Sequence, residues 1–352
     1  MQDPAPKARQ VLPLAARLAI FRPFPRSNER LAGLAPLHTY LDFEKSIAEI
    51  ETKIEELSAV ADGSMGVELS RLKQKAEKQL EELYSKLDPW QKTLVARHPD
   101  RPHYKDYVAA LVTDYVELSG DRQFAEDSAI LGGTGKFLGR PCVIIGQEKG
   151  RTTQERLKHN FGSARPEGYR KAVRLMDLAE KFNLPVVALV DTAGAYPGIG
   201  AEERGQGEAI ARSTQRCLTL GTPMVAAIVG EGMSGGAIGI AAANSVLMLE
   251  HAIYSVISPE GAASILWRDA GRAKDAASAM KITAQDLLKA KVIEGIVEEP
   301  LGGAHRQPEK AIALAGAAIA KALDKLMPMD ADAIRKHRRD RYYAIGRLAE
   351  AG

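Results

Sequence analysis

Glycines and one serine are concentrated in a short segment that could bind a charged oxygen or hold a nucleophile. The segment IVGEGMSGGAIGIAAAN, residues 228–244, has five glycines between positions 230 and 239. A glycine in a helix interior costs about 1 kcal/mol relative to alanine, so this density indicates a need for bare backbone. The segment follows an apolar, strand-like run and precedes an Ala/Ile-rich helical one. It predicts a tight strand-to-helix turn with an accessible main chain.

Another glycine-rich turn, DTAGAYPGIG at residues 191–200, follows the apolar run 185–190 in the same way. In chain order it is the first glycine turn, and GEGMSGG, residues 230–236, is the second. One supersecondary unit used twice would place one turn over the other, so that both line one crevice. The first amides of a helix have no partner within the helix, and the helix dipole gives them partial positive charge. Glycine removes the Cβ that would keep a ligand away. The pair of turns therefore predicts an anion-binding main-chain site.

Two of the usual ligands of such turns are excluded by the spacing. A phosphate-binding loop needs a lysine and a serine or threonine after its last glycine, whereas Ala237 and Ile238 stand there. The stretch GEGMSGG also lacks the spacing of the dinucleotide fingerprint. The remaining use is an oxyanion hole, in which N–H groups stabilise an oxygen that gains negative charge during the reaction. One such donor contributes about 3–4 kcal/mol in known enzymes.

A serine hydrolase is the alternative interpretation of the same segment. Residues 232–236 read Gly-Met-Ser-Gly-Gly, which fits the nucleophile-elbow pattern with Ser234 at its centre. Asp275 and His305 follow in the order that hydrolases use. The pattern is short, however, and serine is also common at a helix start. We expect Ser234 to cap the helix and keep the hydrolase as the alternative.

Strands and helices alternate along the rest of the chain, which predicts the α/β class. Several strand-like runs are apolar throughout and are therefore expected to be covered on both faces. The expected strands are residues 130–136, 141–146, 185–191, 223–230, 245–249 and 253–256, and helices are expected from Pro166, from about Glu203 to Leu220, and from Pro259.

The N-terminal part has a different organisation. Apolar residues at helical spacing on both sides of the turn ADGSMG, residues 61–66, predict an antiparallel α-helical hairpin over 39–90. Residues 1–38, rich in arginine and proline, are expected to be a disordered extension, with an organellar address as the alternative. The proline-punctuated stretch 88–107 is expected to wrap the surface. A core domain over 91–325 and a basic C-terminal tail or helix over 326–352 complete the division.

Composition narrows the classes of function. The 352 residues carry a net charge of only +3, which does not by itself indicate nucleic acid. Cys142 and Cys217 are expected to be two buried thiols, with a lone disulfide as the alternative, and no set of Cys and His residues has the spacing of a zinc site. No apolar run reaches the roughly 18 residues of a membrane span. We expect a cytoplasmic protein without a metal of its own and without a membrane or nucleic-acid partner.

Many long motifs, in order, resemble those of the alpha subunit of the bacterial acetyl-CoA carboxylase carboxyltransferase. The resemblance runs from about Tyr40 to the C-terminal region and leaves residues 1–38 outside. Its motifs include YLDFEKSIAEIE, HPDRP, GDRQFAED, GQEKGR, RPEGYRKA, DTAGAYPGIGAEERGQ, GEGMSGGA, YSVISPEGAASILW and PLGGAHR.

The resemblance implies a crotonase-like fold, in which strand-turn units coil into a superhelix with helices outside. It implies transfer of a carboxyl group from carboxybiotin, held by the biotin carboxyl carrier protein, to acetyl-CoA, which gives malonyl-CoA for fatty-acid synthesis. A beta subunit of similar fold is the implied partner in an alpha2-beta2 assembly, and it is expected to carry the zinc and most of the CoA site. ATP is used only in the separate biotin carboxylase step.

This reaction assigns roles to the glycine turns. Amides of Gly235 and Gly236 are expected to stabilise the ureido oxygen of biotin, with Gly194 and Ala195 as candidates for the second N–H. Biotin itself supplies the base, so no histidine or cysteine nucleophile is required.

Four side chains are candidates for substrate binding. Arg204 could orient a substrate carboxylate by a bidentate pair, with a structural role at a helix start as the alternative. Lys149 and Arg151 follow a strand end and could contact CoA phosphates, or lie in a solvated turn. Tyr196, in the first glycine turn, completes the set.

Overall fold

A computed structural model describes residues 39–60 and 66–346. The expected extension 1–38, the hairpin turn at 61–65 and residues 347–352 lie outside the described residues. The described part is built on an eight-stranded sheet, in agreement with the predicted α/β class. The strands are β1 (Val112–Glu117), β2 (Ile130–Phe137), β3 (Arg140–Gln147), β4 (Val186–Thr192), β5 (Met224–Met233), β6 (Ser245–Leu249), β7 (Ile253–Ser255) and β8 (Gly295–Val297).

The strand order is β1-β2-β3-β4-β5-β6-β8, and β7 pairs with the end of β5. The first three strands form an antiparallel meander, whereas β3 to β6 and β8 run parallel. Parallel strands need helical crossovers, which cover the sheet. Strands β4 and β5 are accordingly buried along their whole length, as their unbroken apolar runs predict.

The helices between and around the strands have the following bounds. They are α1 (Lys45–Val60), α2 (Gly66–Tyr84), α3 (Pro89–Ala96), α4 (Tyr104–Leu111), α5 (Thr153–Lys158), α6 (Pro166–Lys181), α7 (Ile199–Glu202), α8 (Gln206–Thr219), α9 (Ser234–Ala241), α10 (Pro259–Trp267), α11 (Ala273–Met280), α12 (Ala284–Lys289), α13 (Pro308–Leu326) and α14 (Ala331–Ala344). Helices α6 and α10 begin at the predicted prolines, whose missing N–H needs no partner at that position.

Helices α1 and α2 pack on each other, which confirms the predicted helical pair. Their buried residues form a small cluster apart from the main core, and Val95 and Leu301 connect this cluster to the rest of the chain. Arg306 pairs with Glu51 at 2.8 Å and with Glu44 at 3.2 Å, so an ion pair also joins the hairpin to the body. The boundary at residue 90 stays a prediction, although α3 crosses it.

The expectation that residues 88–107 wrap the surface is wrong. The segment forms α3 and the start of α4, and much of it is buried. Arg101, only 1% exposed, pairs with Glu299 at 2.8 Å and donates to the carbonyl of Val229 at 2.8 Å. The segment forms the starts of α3 and α4 rather than a surface strap. Its arginines Arg97 and Arg101 are directed inward, whereas Lys105 is exposed.

The two cysteines are confirmed as buried free thiols. Burial raises the pKa of both Cys142 and Cys217 to about 12, so both are protonated at neutral pH. They are packed as small apolar side chains of the main core.

The basic C-terminal stretch 335–343 lies within α14, and three of its arginines, Arg335, Arg338 and Arg341, bind the body of the protein. Arg338 is 0% exposed and donates to the carbonyl of Leu220 at 2.5 Å, to that of Thr222 at 3.0 Å, and to Asn244. Arg335 donates to the carbonyl of Thr219 at 3.0 Å. These carbonyls lie at and just after the C-terminal end of α8, where the helix dipole favours a nearby cation.

We predict that Arg338→Met lowers the free energy of unfolding by about 2–4 kcal/mol, because buried carbonyls lose a charged donor. The neighbouring Arg339 is exposed, so Arg339→Met is the matched control and should change stability by less than about 0.5 kcal/mol. Urea unfolding followed by circular dichroism measures both. Equal effects of the two substitutions would show that α14 is not held by Arg338.

Candidate active site

The two glycine turns meet because β4 and β5 are parallel neighbours. The register pairs Thr192 with Gly232, and the carboxyl ends of both strands lie at the same edge of the sheet. A Cβ on Gly236 would lie 2.7 Å from the carbonyl carbon of Gly194 and 2.9 Å from the nitrogen of Ala195. The approach is possible only without a side chain at 236. The prediction that the turns lie one over the other is confirmed.

The start of α9 presents main-chain donors beside this contact. Within the described part of the chain, the amides of Gly235, Gly236 and Ala195 donate to no acceptor. The amide of Gly194 is different, because it donates to the Thr192 hydroxyl at 3.1 Å. Gly194 therefore does not fit the role of a free donor that the sequence suggested for it. Its own contribution is conformational, since its φ of +136° suits glycine.

Ser234 does not cap α9, so this expectation is wrong. The cap position is Met233, without a side-chain hydrogen bond, and Ser234 itself has a φ of +54°. The left-handed conformation turns the chain sharply from β5 into α9 and leaves the serine exposed. Such a conformation is uncommon for residues other than glycine and is found at functional turns.

The hydrolase triad is not assembled. The ring of His305 stacks on that of His98 at 3.8 Å, and its two nitrogens have no partner among the described residues. Burial and neighbouring cationic groups lower the pKa of His305 to about 2. Asp275 pairs with Arg272 at 3.0 Å on α11. Neither side chain bonds to Ser234 in the described structure, and the serine hydrolase alternative is not supported.

A buried network of charges lies at the same strand ends. Lys149, after β3, contacts Asp191 of β4 at 2.8 Å and Glu231 of β5 at 2.7 Å. Arg97 extends the network, because its guanidinium lies 2.5 Å from the carboxylate of Glu231 and 2.5 Å from that of Glu260. The Asp191 carboxylate accepts the amide hydrogen of Glu231 at 3.0 Å. The network thus connects three neighbouring strand ends beneath the glycine turns.

The pKa values in this network follow from burial and charge pairing. Burial alone would raise the pKa of Asp191, but Lys149 and His103 beside it hold it well below its ordinary value. The pKa of Glu231 is lowered in the same way, against the effect of burial, by Lys149 and Arg97. Burial would lower the pKa of Lys149, but the two carboxylates raise it. At neutral pH Asp191 and Glu231 are therefore negatively charged, and Lys149 and Arg97 compensate them.

Lys149 is therefore paired with two buried carboxylates, and its expected contact with CoA phosphates stays a prediction. Arg151 pairs with Asp106 at 2.7 Å and is about half exposed, so it is the more accessible of the two. Arg204 lies between α7 and α8 and binds Glu167 through two nitrogens, at 2.6 and 3.2 Å. Tyr196 lies under the guanidinium of Arg165, 4.4 Å from its ring centre.

Cavities reach both turns. One, of about 410 Å³, extends to Ala193 and is lined by charged residues of the network together with Arg156 and Phe161. Another, of about 440 Å³, begins at Ser234 and Gly235 and is lined mainly by Ile238, Tyr254 and other apolar residues. Within the described residues no group of His, Cys, Asp and Glu side chains is arranged to hold a metal ion. No helix among them is both long and apolar enough to span a membrane.

Sequence reasoning missed Gln147, Asp191, Glu231 and Arg97. Gln147 is 1% exposed, and its side chain accepts the amide hydrogen of Asp191 and donates to the carbonyl of Gly236. The available signal was a polar or charged residue at the end of an otherwise apolar strand. Arg97 had no such signal, because only the folded chain brings α3 to the sheet edge.

Comparison with solved structures identifies the fold. The transcarboxylase 12S core, solved with methylmalonyl-coenzyme A and methylmalonic acid, superposes with a TM-score of 0.54 at 18% identity. The match covers 65% of this chain and 42% of that one. The protein has the crotonase-like fold of the carboxyltransferases, as the resemblance implies.

Sequence comparison identifies the family. A family model described as acetyl co-enzyme A carboxylase carboxyltransferase-like matches residues 40–346. The acetyl-coenzyme A carboxylase carboxyl transferase subunit alpha of Methylobacterium nodulans is 65% identical over 315 residues, or 88% of this chain and 99% of the relative. That of Caulobacter vibrioides is 63% identical over 312 residues, or 88% and 98%. The chain belongs to the family of acetyl-CoA carboxylase carboxyltransferase alpha subunits.

We predict that Lys149→Met lowers the free energy of unfolding by about 3 kcal/mol at pH 7, because it leaves buried carboxylates without their cation. The pKa of Asp191 is lowered by folding, so its contribution in the wild type is present above pH 4 and lost as the pH falls through the folded value. In the variant the carboxylates can protonate at higher pH, so the difference from wild type should shrink between pH 7 and about pH 4.5.

Urea unfolding at several pH values measures this difference. The exposed Lys158 provides the control substitution Lys158→Met, which should be close to neutral at every pH. A Lys149→Met effect that stays constant down to pH 4.5 would mean that the network is not what the substitution disturbs.

Proposed function

We propose that this chain, together with a beta subunit, transfers the carboxyl group of carboxybiotin to acetyl-CoA and so forms malonyl-CoA. The observation that carries the proposal is the pair of abutting main-chain turns, with unbonded amides at Gly235, Gly236 and Ala195. The named relatives supply the substrate class, since they are carboxyl transferase subunits of acetyl-CoA carboxylase.

The turns fit a ureido group. A Cβ at Gly236 would collide with the Gly194–Ala195 peptide, so glycine is needed there for the two turns to meet. The positive end of the α9 dipole adds to the effect of the Gly235 and Gly236 amides. The neighbouring cavity combines apolar walls at Ile238 and Tyr254 with Gly235 at its edge, which suits an apolar ring system with a polar edge. Biotin, carried on a partner protein, supplies the carboxyl group and then a nitrogen base for the acetyl methyl.

The role of this chain is to stabilise negative charge on the ureido oxygen while the carboxyl group leaves. The amides of Gly235 and Gly236 serve as donors, and Ala195 is the donor of the first turn because the Gly194 amide is already bonded to Thr192. Main-chain donors held by helix and strand need no reorganisation during the reaction. Neither a nucleophilic side chain nor a resident metal takes part in this step.

The remaining parts of the reaction belong to partners. The enolate oxygen of acetyl-CoA needs its own donors, which we assign to the beta subunit together with zinc and most of the CoA contacts. The biotin carboxyl carrier protein delivers the donor group, and ATP is consumed only by biotin carboxylase. We propose an alpha2-beta2 assembly in the cytoplasm. Arg151 and Tyr196 remain candidates for substrate contact, whereas the pairing of Arg204 with Glu167 favours a structural role.

The purified chain alone should produce no malonyl-CoA, and mixing it with a beta subunit and a biotin donor should start the reaction. The physical reason is that one of the two oxyanion sites is absent without the partner. Malonyl-CoA formation followed by chromatography is the measurement. Turnover by the isolated chain would contradict the division of the site.

Substitutions at Gly235 test the donors in the reconstituted complex. Gly235→Pro deletes the N–H, and we expect kcat to fall by about 100- to 1000-fold. Gly235→Ala keeps the N–H, and its Cβ meets only the flexible Ile210 side chain at 3.2 Å, so kcat should stay within a few-fold of wild type. Gly236 is less informative, because any Cβ there would collide with the first turn.

Ser234→Gly completes this series, since glycine keeps the left-handed conformation and removes only the hydroxyl. We expect nearly wild-type turnover. Loss of turnover in Ser234→Gly, or equal activities of the proline and alanine variants at 235, would overturn the assignment of the amides.

A further inference from the structure

Gln147 makes two buried hydrogen bonds with opposite polarity. It is the last residue of β3 and is 1% exposed. Its Oε1 accepts the amide hydrogen of Asp191 at 3.1 Å, and its Nε2 donates to the carbonyl of Gly236 at 2.9 Å. An amide nitrogen of the main chain can only donate and a carbonyl can only accept, so the orientation of the side-chain amide is determined by its partners.

Each of these bonds ends at one of the glycine turns. Asp191 begins the first glycine turn, and its carboxylate also accepts the amide hydrogen of Glu231 in the second. Gly236 lies at the start of α9, where the amides have no partners within the helix. A tether on its carbonyl therefore restrains the part of α9 that the helix restrains least.

Gln147 thus spans the two turns from inside the sheet. The contact between Gly236 and the Gly194–Ala195 peptide brings the turns together, but van der Waals contact alone does not define an angle. Directional hydrogen bonds from one side chain to the main chain of each turn do define such an angle. The relative placement of the Gly235, Gly236 and Ala195 amides then depends on Gln147.

We propose that Gln147 is a positioning residue for carboxyl transfer, which holds the amides of the two turns in register with the ureido oxygen. The inference rests on the proposed function. It predicts an effect on the transition state rather than on acetyl-CoA binding, because the CoA contacts belong mainly to the partner. Misplacement of donors by about 1 Å can reduce turnover by about 100-fold.

Gln147→Met in the reconstituted complex removes both bonds with little change in side-chain length. We expect kcat to fall by about 10- to 100-fold while KM for acetyl-CoA stays within about twofold. Ser213→Ala is the matched control. Ser213 is also fully buried and donates to a carbonyl of α9, that of Gly239 at 2.5 Å, one turn beyond the site. It should affect stability but leave kcat near the wild-type value.

Gln147→Glu provides a second test with the same shape. The ionised carboxylate can accept from Asp191 but not donate to Gly236, whereas the protonated carboxyl group can do both. Burial and the charges of Asp191 and Glu231 favour the protonated form, and Lys149 opposes it. Relative to wild type, kcat of Gln147→Glu should rise by about fivefold or more from pH 8 to pH 6, and Gln147→Met should show no such rise.

The outcomes separate the two proposals. If Gly235→Pro retains turnover, the donor assignment itself fails. If Gly235→Pro is inactive while the Gln147 variants keep wild-type kcat, only the positioning role fails. Should Gln147→Met not fold, the pH dependence of Gln147→Glu decides, and a flat ratio to wild type would overturn the inference.

Discussion

The site depends on two main chains that touch where no side chain intervenes. Gly236 lies against the Gly194–Ala195 peptide at distances that a Cβ could not tolerate. This contact is possible because β4 and β5 are parallel neighbours whose turns leave the sheet at the same edge. The backbone determines where main-chain N–H groups point. Such donors are therefore correctly placed only if the strands and the helix behind them are correctly placed.

The interior beneath the turns is unusually polar for a sheet edge. Asp191, Glu231 and Lys149 are largely buried, and each has an ionic partner within 2.8 Å. Such a network gives little net stability compared with apolar packing, but removal of one member is costly. Its geometric effect is to hold three strand ends at set distances. Together with the Gln147 side-chain amide, the network positions the two glycine turns relative to the strands of the sheet.

Distant elements secure the same framework from its other side. Arg338 of α14 ties down the chain between α8 and β5, and Arg101 of the segment before α4 holds the carbonyl of Val229 near the end of β5. Both arginines are buried and both bind main-chain carbonyls. Arg338 and Arg101, which the sequence alone suggests to be surface charges, thus bind groups inside the protein. The charge pattern of the chain says little about its partners for this reason.

Local periodicity and the conformational freedom of glycine were enough to predict the α/β class, the helical hairpin, the places of the main strands and helices, and the two glycine turns. The family motifs added the chemistry. The folded chain was needed to show that the Gly194 amide is already bonded, that Lys149 lies in a carboxylate network, and that Ser234 turns the chain rather than capping α9. Hydrogen-bond partners and burial arise between segments far apart in the chain, and residue types alone do not specify them.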